Sequence, residues 1–313
     1  MRIDSHQHFW SLGGAEYSWL EGDAMTPIRR DFGPSDLAPE LERSEVVSSI
    51  LVQTRSSLDE TLEFLEIAAQ TPFVLGVVGW VDLTDPQVGQ ALDALLERPN
   101  GRFLVGIRHG VQSETDPLWL LRTDVNRGLE HLSARKLVYD LLITARDVPA
   151  ALIAARAHPE LTFVIDHAAK PDLKAGHLEF ERWKTSLEPF AALPNVFIKL
   201  SGLVTEADWK HWTPAQIGLY LKACLQQFGP ERCMYGSDWP VCLLAASYGQ
   251  TLELVMNSLE GYGEIAQNAS RPDRRPSPEG AAFGPRQCRF AQDAVLGETA
   301  ARVYRLKEKD LLL

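Results

Sequence analysis

The chain has 313 residues, with 31 Lys and Arg against 42 Asp and Glu, which gives a formal net charge of −11. Hydrophobic residues make up 45% of it, a content that supports a full core and excludes disorder as the main state. The acidic balance argues against nucleic acid or an anionic membrane surface as a partner, because basic side chains supply most of that affinity. Without an apolar segment after a basic start or a long apolar run, the sequence predicts a cytoplasmic protein.

Eight short β-rich segments alternate with helical segments along the chain. Several of them are continuous apolar runs, typical of parallel strands covered on both faces. Eight βαβ-type repeats predict an α/β fold, a single-domain (β/α)₈ TIM barrel spanning residues 1–313. The predicted strands are Arg2–His8, Ser49–Thr54, Val74–Val81, Phe103–His109, Leu137–Ile143, Thr162–His167, Val196–Leu200 and Cys233–Asp238, and helical segments between them include Leu58–Gln70, Gln87–Glu97, Val148–His158, Phe180–Leu193 and Pro214–Phe228.

One region differs in composition from the rest. Residues 261–293 contain four prolines and a cluster of arginines with little apolar periodicity. This composition predicts a flexible insertion within the barrel rather than a second domain. Val295–Leu306 then has helical spacing and is predicted to close the barrel as the C-terminal helix.

Most of the predicted strands end in polar or aromatic side chains of the kinds found in active sites. A barrel collects the C-terminal ends of its strands around one mouth, so these side chains are expected to converge there. They are His6, His8, Gln53, Trp80, Arg108, His109, Tyr139, Asp140, Asp166, His167, Lys199 and Asp238.

The first and last strands carry the sharpest candidates for chemistry. His6 and His8 are separated by one residue, so on a strand both imidazoles point to the same face and can hold a divalent metal or polarise a carbonyl. Asp238 in YGSDWP lies at the end of the last predicted strand, where its carboxylate can take a proton from water. A helix N-cap is the structural alternative for Asp238.

Arg108 and Lys199 each place a cation at a strand end. A buried cation needs a partner, which can be an anionic ligand, a developing oxyanion or an internal carboxylate such as Asp140 or Asp166. The sequence leaves these alternatives open. Aromatic residues near the strand ends fit either a wall for a sugar ring or core packing; they are Trp10, Trp80 and Trp239.

Five motifs in chain order, DSHQHFW, GIRH, DHAAKP, IKLSG and YGSDWPV, resemble the amidohydrolase superfamily. Specifically, they resemble its amidohydrolase-2 branch of sugar-lactone hydrolases, which is L-fuconolactonase-like and related to 2-pyrone-4,6-dicarboxylate lactonases. The resemblance runs from Met1 to about Gly261 and resumes at Val295–Leu306.

The resemblance implies a reaction centre built on His6, His8 and Asp238. A binuclear metal site is not expected, because the fourth and fifth strands carry Arg and His, and Tyr and Asp, where such a site has its other ligands. One Zn²⁺ on His6, His8 and Asp238, with His167, and a metal-independent site both remain open. The residues expected to bind a small-molecule lactone are Arg108, His109, His167, Lys199, Tyr139 and Trp239.

The sequence thus predicts a lactone hydrolase in which Asp238 activates water. Two alternatives remain. One is a zinc-dependent decarboxylase of the same branch, and the other is a catalytically silent binding barrel that docks a partner through the arginine-rich insertion.

Overall fold

The computed structural model of the protein describes residues 1–260 and 285–306. Eight parallel strands pair in chain order into one sheet, which confirms the predicted TIM barrel. The sheet closes on itself where β1 meets the residues after β8. The Asp238 amide donates to the His6 carbonyl at 2.8 Å, and the His8 amide donates to the Trp239 carbonyl at 2.8 Å.

The strands are β1 (Ile3–Gln7), β2 (Ser48–Val52), β3 (Val74–Gly79), β4 (Leu104–His109), β5 (Val138–Leu141), β6 (Phe163–Ile165), β7 (Val196–Leu200) and β8 (Cys233–Tyr235). The helices are α1 (Pro34–Arg43), α2 (Leu58–Gln70), α3 (Val88–Leu96), α4 (Thr123–Ala134), α5 (Val148–Ala157), α6 (His177–Ala191), α7 (Leu203–Glu206), α8 (Pro214–Phe228), α9 (Tyr248–Glu260), α10 (Pro285–Asp293) and α11 (Thr299–Val303).

Local sequence signals set several helix starts. The Ser57 side chain accepts a hydrogen bond from the Glu60 amide at the start of α2, and Thr213 caps α8 in the same way, with Pro214 as its first helical residue. Both caps satisfy amides that lack a partner within the helix. The strand ends therefore connect to well-defined helices on the outside of the barrel.

The barrel interior has an apolar lower layer and a polar upper layer. Val138, Val164 and Phe197 belong to the lower layer. Because side chains alternate along a strand, the next inward positions on these strands are Asp140, Asp166 and Lys199, which form part of the upper layer. The lower layer is closed from below by residues of α11 and its C-terminal end, namely Ala300, Val303 and Tyr304.

A β-bulge in β1 changes which of its residues face inward. The pairing with β2 advances three residues on β1, from Asp4 to Gln7, against two residues on β2. Ile3 lies in the lower interior layer, and after the bulge His6 and His8 also face inward. Bulges redirect side chains in this way and are common next to active sites.

The structure describes only the C-terminal part of the segment predicted as a flexible insertion. Pro285–Asp293 forms helix α10, and residues 261–284 lie outside the described residues. Among the helices described, none is long and apolar enough to cross a membrane.

Candidate active site

A cavity of about 780 Å³ opens at the C-terminal ends of the strands. Its floor includes His8, Arg108, His167 and Asp238. The walls come from the loops that follow the strands, and the wall residues with side chains suited to contact a ligand are Tyr17, Trp19, Gln53, Arg55, His109, Glu114, Lys170, Glu206 and Trp209.

Three side chains from the two ends of the sheet converge beneath this cavity. His6 Nε2 lies 3.1 Å from His8 Nε2, and Asp238 Oδ1 lies 3.3 Å from His8 Nε2 and 3.8 Å from His6 Nε2. His167 Nε2 lies 3.9 Å from the same carboxylate oxygen. We call these four residues, all at most 4% exposed, the mouth cluster. Asp238 faces the histidines rather than capping a helix.

The ring nitrogens of the two β1 histidines have different partners. His8 Nδ1 lies 2.7 Å from the Val52 carbonyl, so it carries a proton. Each ring nitrogen of His6 lies near a cation that can only donate: Arg108 Nη1 is 3.2 Å from Nε2, and Lys199 Nζ is 3.2 Å from Nδ1. His6 Nδ1 is also 3.3 Å from Asp166 Oδ1. The Nε2 atoms of the two histidines face each other beside the Asp238 carboxylate.

The electrostatics of the mouth cluster keep Asp238 ionised and His6 and His167 neutral at neutral pH. Burial by itself raises the pKa of Asp238, but its histidine neighbours, first His167 and then His8 and His6, hold it well below its usual range. Burial lowers the pKa of His6 well below its usual value and the pKa of His167 to about 4. The cluster thus combines an ionised carboxylate with neutral His6 and His167 at neutral pH.

Two members of the mouth cluster have left-handed backbone conformations. Asp238 has φ of 57°, and residues 167–170 form a left-handed turn in which His167 has φ of 51°. Such conformations cost about 1 kcal/mol or more for a non-glycine residue and concentrate at functional sites. His167 is held by the Ser201 hydroxyl at 2.9 Å, and a Cβ on Gly202 would lie 2.4 Å from the His167 ring. The IKLSG motif thus makes room for His167.

Below the mouth cluster, four charged side chains form a compensated set that we call the inner cluster: Arg108, Asp140, Asp166 and Lys199. Lys199 Nζ lies 2.5 Å from Asp140 Oδ2 and 3.0 Å from Asp166 Oδ1, and Arg108 Nη1 lies 3.0 Å from Asp166 Oδ2. Of the alternatives that the sequence leaves open for Arg108 and Lys199, the structure shows the internal salt bridges. Two cations and two carboxylates balance in the barrel interior.

The two carboxyl groups of the inner cluster differ in pKa. Burial raises the pKa of Asp140 to about 6, although Lys199 opposes this. For Asp166, burial has the same direction, but Lys199, His6 and Arg108 outweigh it and hold the pKa well below its usual range. Asp166 is the better compensated carboxylate because it contacts both cations.

Three residues expected to contact substrate lie elsewhere. Tyr139 is fully buried in the layer between barrel and helices, with its ring 6.0 Å from that of Phe163; since Asp140 faces inward, its neighbour must face outward. Trp239 is 2% exposed and packs against Phe9 and Phe32. Lys199 is fully buried beneath the mouth. Among the described residues, the cavity lining does not include these three.

His109 lies on the cavity wall with both ring nitrogens occupied. Trp80 Nε1 donates to Nδ1 at 3.0 Å, so Nε2 carries the proton and donates to Glu114 at 2.7 Å. The imidazole also stacks on Trp119 with a centroid distance of 4.2 Å. His109 thus holds Glu114 at the rim of the cavity.

Sequence reasoning missed Asp4, which ties β1 to the segment before Asp238. Its carboxylate accepts hydrogen bonds from the Ser237 amide and hydroxyl at 2.9 and 2.6 Å, from the His6 amide at 3.1 Å and from the Tyr248 hydroxyl at 3.1 Å. Burial raises its pKa to about 6. The signal was present in the DSHQH motif, but the bulge that turns Asp4 away from the histidines has no clear sequence signature.

The mouth cluster fits a single metal ion. One ligand atom from each of His6, His8 and Asp238 lies within 4.8 Å of the other two, and imidazole nitrogens and a carboxylate oxygen are ligands that a zinc ion takes. A second group of His6, Asp166 and His167 meets the same distance limit. Asp166 already faces Lys199 and Arg108 there, so two fixed cations oppose a second ion.

Comparison with known proteins agrees with this geometry. A family model described as amidohydrolase matches residues 3–306. An L-fucono-1,5-lactonase of Burkholderia multivorans is 38% identical over 320 residues, covering 98% of this chain and 97% of that protein. One from Burkholderia ambifaria is 40% identical over 248 residues, covering 79% and 83%. A crystal structure of a Burkholderia multivorans amidohydrolase with bound zinc has a TM-score of 0.84 and 38% identity, covering 98% of this chain and all of that one.

Proposed function

Because the chain belongs to the amidohydrolase family, we propose that it is a hydrolase that opens small sugar lactones. The observation that carries the proposal is the Asp238 carboxylate, held ionised at the bottom of a polar cavity beside His6 and His8. Relatives at 38–40% identity are L-fucono-1,5-lactonases, which favours this function over the decarboxylase and the silent barrel.

Asp238 accepts a proton from water as the water oxygen attacks the lactone carbonyl carbon. The tetrahedral intermediate then collapses, the ring C–O bond breaks, and the proton passes from Asp238 to the leaving hydroxyl. Arg108 and His167, which line the cavity floor, stabilise the oxyanion, a contribution of roughly 3 kcal/mol for a well-placed donor. The product is the open hydroxy acid.

The chemistry of the cavity suits an uncharged, hydroxylated lactone. Its basic side chains are already paired: Arg108 with Asp166 at 3.0 Å, Arg55 with Glu60 at 3.2 Å, and Lys170 with Glu206 at 3.4 Å. Because these cations are already paired, the cavity wall suits the hydroxyl groups of a sugar lactone better than a substrate that carries an additional carboxylate.

His6, His8 and Asp238 are the proposed ligands of one Zn²⁺. When bound, zinc lowers the pKa of a coordinated water and polarises a carbonyl. The low pKa of Asp238 makes it a weak base, so the attacking water needs polarisation in addition to a proton acceptor. His167 remains a substrate-binding group, oriented by Ser201.

The test is Asp238→Asn, assayed on a panel of aldonolactones with metal-stripped and zinc-loaded protein. Asn tolerates the left-handed backbone at this position, so the fold is retained. We expect kcat to fall about 10³-fold with KM little changed, since a general base of this kind contributes that order of magnitude. Zinc affinity, measured by calorimetry, should fall at least tenfold because one proposed ligand is weakened.

The matched control is Asp59→Asn, an exposed carboxylate on α2, which should keep wild-type kcat and zinc affinity. Rates without protein are subtracted, because lactones also open unaided. Near-normal turnover by Asp238→Asn would exclude Asp238 as the general base. Absence of lactone turnover by folded wild-type protein, with or without zinc, would overturn the function itself.

A further inference from the structure

A buried tyrosine outside the eight strands reaches the polar layer of the barrel from below. Tyr304 follows α11, is 2% exposed and packs in the lower apolar layer. Its hydroxyl lies 3.0 Å from both carboxylate oxygens of Asp140. Among the described residues, the Asp140 carboxylate has two side-chain partners, the Tyr304 hydroxyl and the Lys199 ammonium.

The line of contacts continues from Asp140 to His6. Lys199 Nζ, 2.5 Å from Asp140 Oδ2, also lies 3.0 Å from Asp166 Oδ1 and 3.2 Å from His6 Nδ1. Asp166 Oδ1 is in turn 3.3 Å from His6 Nδ1. Lys199 therefore contacts His6 Nδ1 directly and, through Asp166, a second time, so its position affects how the His6 ring is held.

We propose that Tyr304 is a positioning residue for His6 that acts through Asp140 and Lys199, an inference that rests on the proposed lactonase function. Without the hydroxyl, one oxygen of Asp140 faces the apolar layer with no donor. The carboxylate then relies on Lys199 alone and draws the ammonium away from Asp166 and His6. The C-terminal helix thereby takes part in setting the geometry of the reaction centre.

The Tyr304 hydroxyl can be removed without creating a cavity in the lower layer. The Lys199 ammonium lies 5.6 Å from the centroid of the Tyr304 ring, and that ring packs with Val303 and the lower layer. Phenylalanine retains the ring and its packing, so Tyr304→Phe isolates the hydrogen bonds to Asp140.

The experiment compares Tyr304→Phe with Tyr235→Phe. Tyr235 is also fully buried, but its hydroxyl lies 3.1 Å from Thr251 Oγ1 in the outer layer, away from the inner cluster. We expect Tyr304→Phe to lower kcat about tenfold with unchanged KM, the effect usual for a group that orients a reacting or ligating histidine. Tyr235→Phe should lose comparable thermal stability and keep kcat. A Tyr304→Phe enzyme with kcat within twofold of wild type would overturn the proposal.

A second readout separates this proposal from the lactonase function. In ¹⁵N NMR spectra of the imidazoles, the Nδ1 and Nε2 shifts of His6 should change in Tyr304→Phe and stay constant in Tyr235→Phe. Constant His6 shifts in both variants would contradict positioning, even if the wild type opened no lactone. If Tyr304→Phe does not fold, Asp140→Asn replaces it as the test, because its side-chain oxygen still accepts the hydrogen bond from Tyr304. We expect this variant to have a lower kcat and an unchanged KM. A wild-type kcat in Asp140→Asn would overturn the proposal.

Discussion

The barrel interior holds two groups of polar residues that are in contact but differ in how their charges are compensated. In the inner cluster, two cations balance two carboxylates at 2.5 to 3.0 Å. In the mouth cluster, one carboxylate and three histidines converge, with the Nε2 atoms of His6 and His8 3.1 Å apart and Arg108 Nη1 3.2 Å from His6 Nε2. The charges of the inner cluster balance without a ligand, although Arg108 also lines the cavity floor. The mouth cluster has ligand atoms placed for a metal ion.

This difference explains why similar residue types have different roles. A compensated buried ion pair is costly to break because the partner left behind is a buried, unpaired charge. A cluster of an ionised carboxylate and histidine nitrogens is available to bind a metal ion or water. Removing charge should therefore cost mainly stability in the inner cluster and mainly activity in the mouth cluster.

The largest expected effect on stability is from Lys199→Met, which leaves Asp140 and Asp166 without their shared cation. We expect the free energy of unfolding, measured in urea, to fall by about 3–5 kcal/mol. The exposed Lys210→Met serves as the control and should stay close to wild type. If Lys199→Met lost no more stability than Asp238→Asn, the distinction between the two clusters would not hold.

His167 allows a pH test within the mouth cluster. Its pKa is about 4 in the folded protein against about 6.5 in an unfolded chain, so between these values the unfolded state binds the proton first. Stability is therefore lost as the pH falls from 6.5 towards 4, by on the order of 3 kcal/mol for this residue. His167→Asn should lose less stability over this range, measured in urea with a chelator present.

Asp4 and Asp140, whose pKa values are raised to about 6, act in the opposite direction in the same pH range. They are present in both proteins, so the difference between His167→Asn and wild type isolates the histidine. His211→Gln, at an exposed position, should show the wild-type pH dependence. Identical curves for His167→Asn and wild type would mean that His167 is not held neutral.

The smallest effect is expected outside both clusters, at Tyr139. Its hydroxyl is buried and has no hydrogen-bond partner among the described residues, so Tyr139→Phe removes an unsatisfied group. We expect the free energy of unfolding to stay the same or rise by up to about 1 kcal/mol, with kcat and KM within twofold of wild type. A large loss of activity would place Tyr139 in the site after all.

Much of the fold and part of the site could be predicted without the structure. Apolar strands alternating with amphipathic helices predict the barrel, because such strands must be covered on both faces. The one-residue spacing of His6 and His8 predicts that they share a face, and the position of Asp238 after the last strand predicts that it reaches the same mouth. These inferences depend on local periodicity and on the order of strands, which a sequence carries directly.

What only the tertiary structure decided is how each strand is turned and which distant charges meet. The β1 bulge separates Asp4 from His6, and the alternation along β5 sends Tyr139 outward and Asp140 inward. The pairing of Lys199 with Asp140 and Asp166, and the approach of Tyr304 from a helix 164 residues along the chain from Asp140, depend on the closure of the barrel. The local sequence determines which residues can carry a charge. Whether two buried charges are paired depends on the distance between their side chains, and the packing of the barrel interior sets that distance.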